Sequence, residues 1–374
     1  MRWPQRKLDE LGTVARGRSR HRPRDAAHLY GGPYPFIQTG DVKHANLYLT
    51  DYSQTYSEAG LEQSRLWKAG TLCITIAANI ADTAILGIDA CFPDSVIGFI
   101  ADPEEADVRF VKYLFDAHLQ RRYQRFTQGA AQDNLSQSKL LSLDFAVPDV
   151  TEQRRIADVL AAYDKLIENN RRRIQLLEEE ARLLYKEWFV RFRFPGHEHA
   201  TITDGVPEGW ERKRIGEVSP LKYGKALKKD HRVPGPFPVY GSSGIIGTHE
   251  AALVTGPAIV VGRKGNVGSV FWSESDFHPI DTVFYIESEY CTAHLYYVLL
   301  DTQFLNTDVA VPGLNRDFAH SRELLIPEAK ILELFEDHVS LIRRETSLLT
   351  AYNERLFRAR DLLLPRLMNG EIAV

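Results

Sequence analysis

The sequence predicts a mixed α/β protein: two globular domains related by a pseudo-two-fold axis and separated by two long antiparallel coiled-coil helices. Three observations carry this. The order of features in the first half of the 374-residue chain recurs in the second. A heptad stripe follows Pro148, and the same stripe returns 175 residues later. Between and before the stripes, short β-rich runs alternate with Gly, Pro and Asn/Asp turn signals.

The first half opens with Trp3 and the run Leu8, Glu10, Leu11, inside a basic segment. Met1–Arg24 holds eight bases (Arg2, Arg6, Lys7, Arg16, Arg18, Arg20, Arg22, Arg24) and two acids. Trp210, followed by Ile215, Glu217 and Val218, starts the second half. There Trp210–Arg232 again holds eight bases (Arg212, Lys213, Arg214, Lys222, Lys225, Lys228, Lys229, Arg232), against three acids. Next, Pro33-Tyr34-Pro35-Phe36-Ile37 parallels Pro236-Phe237-Pro238-Val239-Tyr240, and Gly70 and Gly256 each open a β-rich run. Asp94-Ser95-Val96 parallels Asp281-Thr282-Val283. Strands are predicted around Leu72–Ile76, Ile85–Ile88, Val96–Ile100, Ala258–Val261 and Val283–Ile286, and helical patches at Val108–Phe126 and His294–Phe304. Each half closes on a proline, Pro148 or Pro327.

After Pro148, with Thr151 as the expected N-cap, the stripe runs Ile156, Leu160, Tyr163, Ile167, Asn170, Ile174, Leu177, Ala181, Leu184, Trp188. These steps of four and three are an a/d seam. The second stripe is Ile331, Phe335, His338, Ile342, Glu345, Leu349, Tyr352, Leu356, Ala359, Leu363. A helix of about 38 residues is about 55 Å long at 1.5 Å per residue, too long to hide in one ordinary domain. It needs a partner, and the matching seam lies in the same chain. Packed antiparallel about a pseudo-two-fold, the helices would hold the repeated domains at opposite ends, and Asn170 would face its repeat-mate Glu345 near the axis. The expected boundaries are 1–150 and 210–327 for the domains, 151–192 and 328–374 for the helices, and 193–209 for a linker.

No run approaches the ~18 consecutive apolar residues of a membrane span, and the basic start lacks the apolar core of a signal peptide. Cys73, Cys91 and Cys291 fit no zinc or redox spacing, so buried thiols in a reducing cytoplasm are expected. The formal net charge is −4, yet the two basic runs offer the local surface that phosphate contact requires.

Catalytic signatures are missing. There is no phosphate-binding Gly-x-x-x-x-Gly-Lys-Ser/Thr loop, and Gly262–Gly268 reads as a tight hairpin. No Asn/Asp-Pro-Pro-aromatic string is present for a target amine, nor an acid-x-Lys element suitably placed after the Pro-Asp pairs for a metal-dependent nuclease. His197 and His199 sit in the linker, and no metal is expected there. What the domains offer instead is side chains that can read nucleic acid. Gln132, Asn134, Gln137 and Lys139 lie in one polar loop, Asn315 and Arg316 in its counterpart, and Arg263, Lys264 and Asn266 in the Gly-rich hairpin. Two other classes stay open from these residues: a coiled-coil adaptor that reads no DNA, and a nuclease or methyltransferase with an unrecognised motif. DNA binding by the purified chain separates the first, and unaided cutting or modification of DNA the second.

The segments Thr151–Leu160, Asp164–Arg172, Leu176-Leu177-Glu178 and Lys186-Glu187-Trp188-Phe189 resemble the central conserved region of type I restriction–modification specificity subunits. Val206-Pro207-Glu208-Gly209-Trp210 resembles the opening of their second target-recognition domain, and Leu362–Glu371 their C-terminal end. The resemblance spans essentially the whole chain and is weakest over Met1–Ala27. It implies a non-catalytic DNA-recognition subunit whose two domains each read half of a bipartite double-stranded site in the major groove. The paired helices would set the gap and dock two methyltransferase subunits, which would bring S-adenosylmethionine and flip adenines; this chain would need no cofactor of its own. Motor/nuclease subunits would complete a restriction enzyme in the cytoplasm. The expected phosphate contacts are Arg16, Arg18, Arg20, Arg22, Lys222, Lys225, Lys228 and Lys229. Base contacts are expected among Gln132, Asn134, Gln137, Arg263, Lys264, Asn266, Asn315 and Arg316, and Lys139 is expected to bind DNA beside them. The helix seam is expected to use Ile156, Leu160, Tyr163, Ile167, Asn170, Ile174, Leu177, Leu184, Ile331, Phe335, Ile342, Glu345, Leu349, Tyr352 and Leu356.

Overall fold

A computed structural model describes residues 3–77, 80–120, 135–304 and 313–374. The chain divides into two units, one formed by residues 1–172 with 349–374, the other by residues 173–348. Each holds a mixed α/β body and its own stretch of the two long helices, Val150–Tyr185 and Ala329–Met368. A π-helical turn, Lys186–Val190, extends the first helix.

In the first unit a five-stranded sheet is ordered Gly12–Arg16, Val96–Ala101, Leu72–Thr75, Thr83–Leu86, Tyr48–Leu49. All neighbours are antiparallel except the last pair. The second unit repeats its core: Lys222–Tyr223, Val283–Ile286, Ala258–Gly262 and Val270–Ser273 pair antiparallel in the same order. Each unit also pairs the strand after its leading tryptophan with the strand before its long helix. Gln5–Lys7 lies against Asp144–Ala146, and Glu211–Arg214 against Glu323–Ile326. The Pro-aromatic-Pro elements are strands too, Tyr30–Phe36 and Phe237–Gly241, and each takes a parallel neighbour. The Val/Ile/Leu/Phe runs of the central strands are fully buried, as expected of strands covered on both faces.

The strand predicted at Ile85–Ile88 starts two residues earlier, at Thr83, where Thr83 Oγ1 bonds Asp116 at 2.6 Å. The helical patches form Val108–Phe115 and Ala293–Asp301, capped by Asp107 and Thr292. Within 193–209 a small hairpin, Ile202–Thr203 with Val206–Pro207, turns on Asp204 and Gly205, both with positive φ. Cys73 and Cys91 are buried free thiols, and Cys291 is half-buried; burial pushes the Cys291 thiol up to about 12.

Several local expectations are corrected. The cap of the first long helix is Asp149, not Thr151: its Oδ1 accepts from the Thr151 and Glu152 amides at 3.0 Å each, and a carboxylate at that end also suits the helix dipole. The polar layer of the seam pairs Asn170 with Asn353, not with Glu345. Asn170 Nδ2 donates to Asn353 Oδ1 at 2.9 Å, Asn353 Nδ2 donates to the Ile167 carbonyl at 3.4 Å, and both side chains are buried. Glu345 instead receives Arg173 at 2.5 Å on the surface of the second unit. The reason is register: Asp164 lies opposite Arg360 at 2.5 Å, which brings residue 353 over 170 and leaves Glu345 two turns away.

The same register removes Tyr352 from the seam; it is 47% exposed, and Asn353 takes the inward position. Tyr163 is half-buried beside Asp164, which is inside. Val339, not His338, is buried on the second helix. Ile156, Leu160, Ile167, Ile331, Phe335, Leu349 and Leu356 are buried, and Ile174, Leu177, Leu184 and Ile342 are half-buried.

In the first unit Ile156, Ala157 and Leu160 share a core with Leu367 and Met368. In the second, Trp188 and Phe189 pack on Phe335 with ring centroids 6.0 and 4.8 Å apart. Each α/β body is also tied to its helix pair by polar groups. Tyr113 donates to Asp164 at 2.5 Å. The Ala293 and His294 amides donate to Glu336 at 2.9 Å each.

Candidate nucleic-acid interface

The basic runs begin on matching strands, and a glycine fixes the turn at the end of each strand. Gly17 N donates to the Val96 carbonyl at 2.9 Å, and Gly224 N donates to the Val283 carbonyl at 3.1 Å. A Cβ on either would lie 2.2 Å from the Pro93 oxygen or 2.1 Å from the Ile280 oxygen, so only glycine fits. The next residue is basic in both cases, with its amide tied to the same turn: Arg18 N to the Phe92 carbonyl at 3.1 Å, Lys225 N to the Pro279 carbonyl at 2.9 Å. This construction equates Arg16 with Tyr223 and Arg18 with Lys225.

In the first unit much of the arginine charge is spent within the chain. Arg16 Nε bonds the Asp94 carbonyl, half-buried Arg18 bonds the Ser64 carbonyl, and Arg22 Nη1 bonds the carbonyls of Ser19 and His21. Arg24 pairs with Asp94 at 2.9 Å. Arg20 is exposed, and its backbone amide, not its guanidinium, bonds Gln63 at 2.6 Å. Gln132 and Asn134 lie outside the described residues. Gln137 and Lys139 are half-buried on the short helix Gln137–Leu141, which Ser136 caps. Gln137 Nε2 reaches the Val14 carbonyl on the strand Gly12–Arg16 at 3.4 Å.

The second unit gathers residues that are far apart in sequence. Arg263 N and Lys264 N donate to the Thr282 carbonyl at 2.9 and 3.1 Å, and Leu314 N donates to the Arg263 carbonyl at 2.8 Å. A bridge also pairs Lys264 with Gly313. The Gly-rich hairpin and the Asn315–Arg316 loop thereby meet, and an arginine from each reaches the Lys222–Tyr223 strand. The Arg263 and Arg316 guanidiniums lie 5.0 and 5.1 Å from the Tyr223 ring centroid. Lys222 pairs with Glu287, which holds its ammonium above the ordinary lysine range. Lys225, Lys228, Lys229, Lys264 and Asn266 are exposed.

Asn315 is mainly a cap: its Oδ1 accepts from the Asp317 and Phe318 amides at 2.7 and 3.3 Å. Arg316 then occupies the first turn of the short helix, the place Gln137 holds in the other unit. Burial lowers His320, whose Nε2 accepts from the Leu221 amide at 3.0 Å. The sequence reading missed Tyr223. Its signal was there, an aromatic set among lysines in Lys222-Tyr223-Gly224-Lys225. Among the described residues no group of three His, Cys, Asp or Glu side chains could hold a metal ion, and no helix is long and apolar enough to cross a membrane.

A duplicated α/β protein, each unit setting basic residues after a matching strand and holding its own stretch of the two long helices, belongs to the class of tandem recognition proteins. Comparison with known proteins makes the class specific. The family model for the type I restriction modification DNA specificity domain matches residues 2–179 and 207–340, and the chain belongs to that family. It is similar to the type I restriction enzyme MjaIX specificity subunit of Methanocaldococcus jannaschii, with 24% identity over 417 residues, covering 100% of this chain and 94% of that one. It is also similar to the type I restriction enzyme HindI specificity subunit of Haemophilus influenzae, 23% identical, covering 97% of this chain and 98% of that one. The fold is shared with the S subunit of a type I restriction–modification system from M. genitalium: TM-score 0.59, 17% identity, 98% of this chain and 96% of that chain covered. The chain is thus a specificity subunit of a type I restriction–modification system, a non-catalytic DNA-recognition component that acts in complex with other subunits. The adaptor and enzyme readings are set aside.

Proposed function

We propose that the chain reads a bipartite double-stranded DNA site, with residues 1–150 and 210–327 as target-recognition domains that each take one half in the major groove. The observation that carries this is the duplicated strand–glycine–base construction at Gly17-Arg18 and Gly224-Lys225, which sets a basic residue at the same backbone position in both units. Flexible lysines at 225, 228 and 229 suit phosphates, which position a protein on DNA, while side chains held in fixed planes suit base edges. The paired helices set the gap between the halves and dock two methyltransferase subunits, which carry S-adenosylmethionine. Motor/nuclease subunits join this assembly in the cytoplasm.

The test is to co-express the chain with its methyltransferase subunits in a methylation-free bacterium and map methylated adenines across the genome. A two-part motif with a constant gap and one modified adenine in each half is expected. A single uninterrupted motif, or none despite a stable complex, contradicts the proposal.

A further inference from the structure

Tyr223 is 47% exposed, and two guanidiniums share its ring. They are not alike. Arg263 is half-buried, donates to the Asp281 carbonyl at 3.1 Å and also lies 5.7 Å from the Phe284 ring. Arg316 is exposed, makes no ion pair among the described residues, and lies over Tyr223. Its backbone is fixed by the Asn315 cap, and the ring is fixed by Phe284, 4.9 Å away between centroids. A guanidinium held over an aromatic face is restrained in position while its donors stay open to a ligand. A donor pair so restrained on a solvent-facing edge matches the O6 and N7 acceptors of guanine, the commonest specific arginine contact in the major groove. Phosphate contact needs no such restraint, and the exposed lysines already supply it.

We propose that Arg316 is a specificity-determining residue of the second unit, reading one guanine, with Tyr223 as the positioning residue that aligns it. This rests on the reading of that unit as a DNA-recognition domain.

The experiment maps methylated adenines, and measures binding of the full subunit complex to the recovered site, for wild type, Arg316→Ala, Arg316→Gln, Tyr223→Ala, Tyr223→Phe and Lys228→Ala. Arg316→Ala and Arg316→Gln should each relax a single G·C position in one half of the motif, with roughly 10- to 100-fold lost discrimination there. Tyr223→Ala should relax the same position more weakly, and Tyr223→Phe, which keeps the ring, should leave it intact. Lys228→Ala should weaken binding to all sequences and lower the salt slope by about 1. A uniform loss with a lowered salt slope in Arg316→Ala, or an unchanged motif, overturns the guanine assignment while the two-part wild-type motif still stands. A wild type without a two-part motif overturns the parent reading, and the assignment with it.

Discussion

Replacing Asp164 by alanine should destabilise the first unit by about 3 kcal/mol. Only 4% of this aspartate is exposed, and each carboxylate oxygen has one partner, Tyr113 or Arg360, both at 2.5 Å. Removing one member of a buried ion pair costs about 3–5 kcal/mol, because the other charge is left uncompensated. Arg360 keeps Asp361, at 2.8 Å, but that carboxylate is largely exposed and screened. The expected value therefore sits at the lower end, even with the Tyr113 hydroxyl orphaned. Arg360→Met should cost a similar amount. The double variant Asp164→Leu/Arg360→Met should recover most of the loss, since an apolar pair avoids the desolvation of both charges. Urea unfolding followed by circular dichroism gives the energies, and amide exchange localises them to Val108–Phe115 and the start of the first long helix. A cost below about 1 kcal/mol for Asp164→Ala, or a double variant as damaging as the two losses added together, would refute this account of how the helix pair holds its α/β body.

Other consequences are as direct. Asn170→Leu combined with Asn353→Leu should raise the unfolding midpoint of the first unit yet loosen helix register, since a buried polar pair specifies alignment at a cost in stability; cysteine cross-linking across the seam would report mixed registers, and one unchanged register would contradict the assignment. His294 lies among Tyr185 and Phe189, and burial drives it down to about 4. Between about pH 6.5 and 4 the unfolded chain binds a proton that the folded chain refuses, so stability falls as pH drops, by about 2 kcal/mol at pH 5. In His294→Leu the pH 7 to pH 5 difference in urea midpoint should shrink accordingly, and an undiminished difference would place the titration elsewhere. Gly224→Ala should lower thermal stability by an amount of order 1–3 kcal/mol, because the new Cβ meets the Ile280 carbonyl; a neutral substitution would show that the turn is not constrained as described.

Much of the architecture was legible because it is periodic. A seam repeated at heptad spacing in both halves is a local signal, and it located both long helices and their antiparallel pairing. What periodicity does not encode is which of two adjacent residues turns inward when one is polar. Tyr352 looks the better core residue than Asn353, and Tyr163 better than Asp164. In both pairs the polar residue is inside because a partner on the facing helix satisfies it, Asn170 in one case and Arg360 in the other. That partner is visible only once the register is known. The interface was legible in composition and not in arrangement. Arg263 and Arg316 each stand out separately in the sequence, but their meeting on Tyr223 depends on sheet order and on the hairpin's bond to residue 314. Gly17 and Gly224 likewise read as ordinary turn glycines until the carbonyls above them are placed.

The central claim is that each unit reads its own half of one site. It is tested most directly by mapping methylated adenines genome-wide for the complex carrying Lys225→Ala, Arg263→Ala and Arg316→Ala together, beside the wild-type complex. One half of the motif should survive unchanged, with the gap preserved, while the other half becomes degenerate or its methylation fades. Equal loss of sequence preference in both halves, or a change in the gap, would contradict a division of labour between the units.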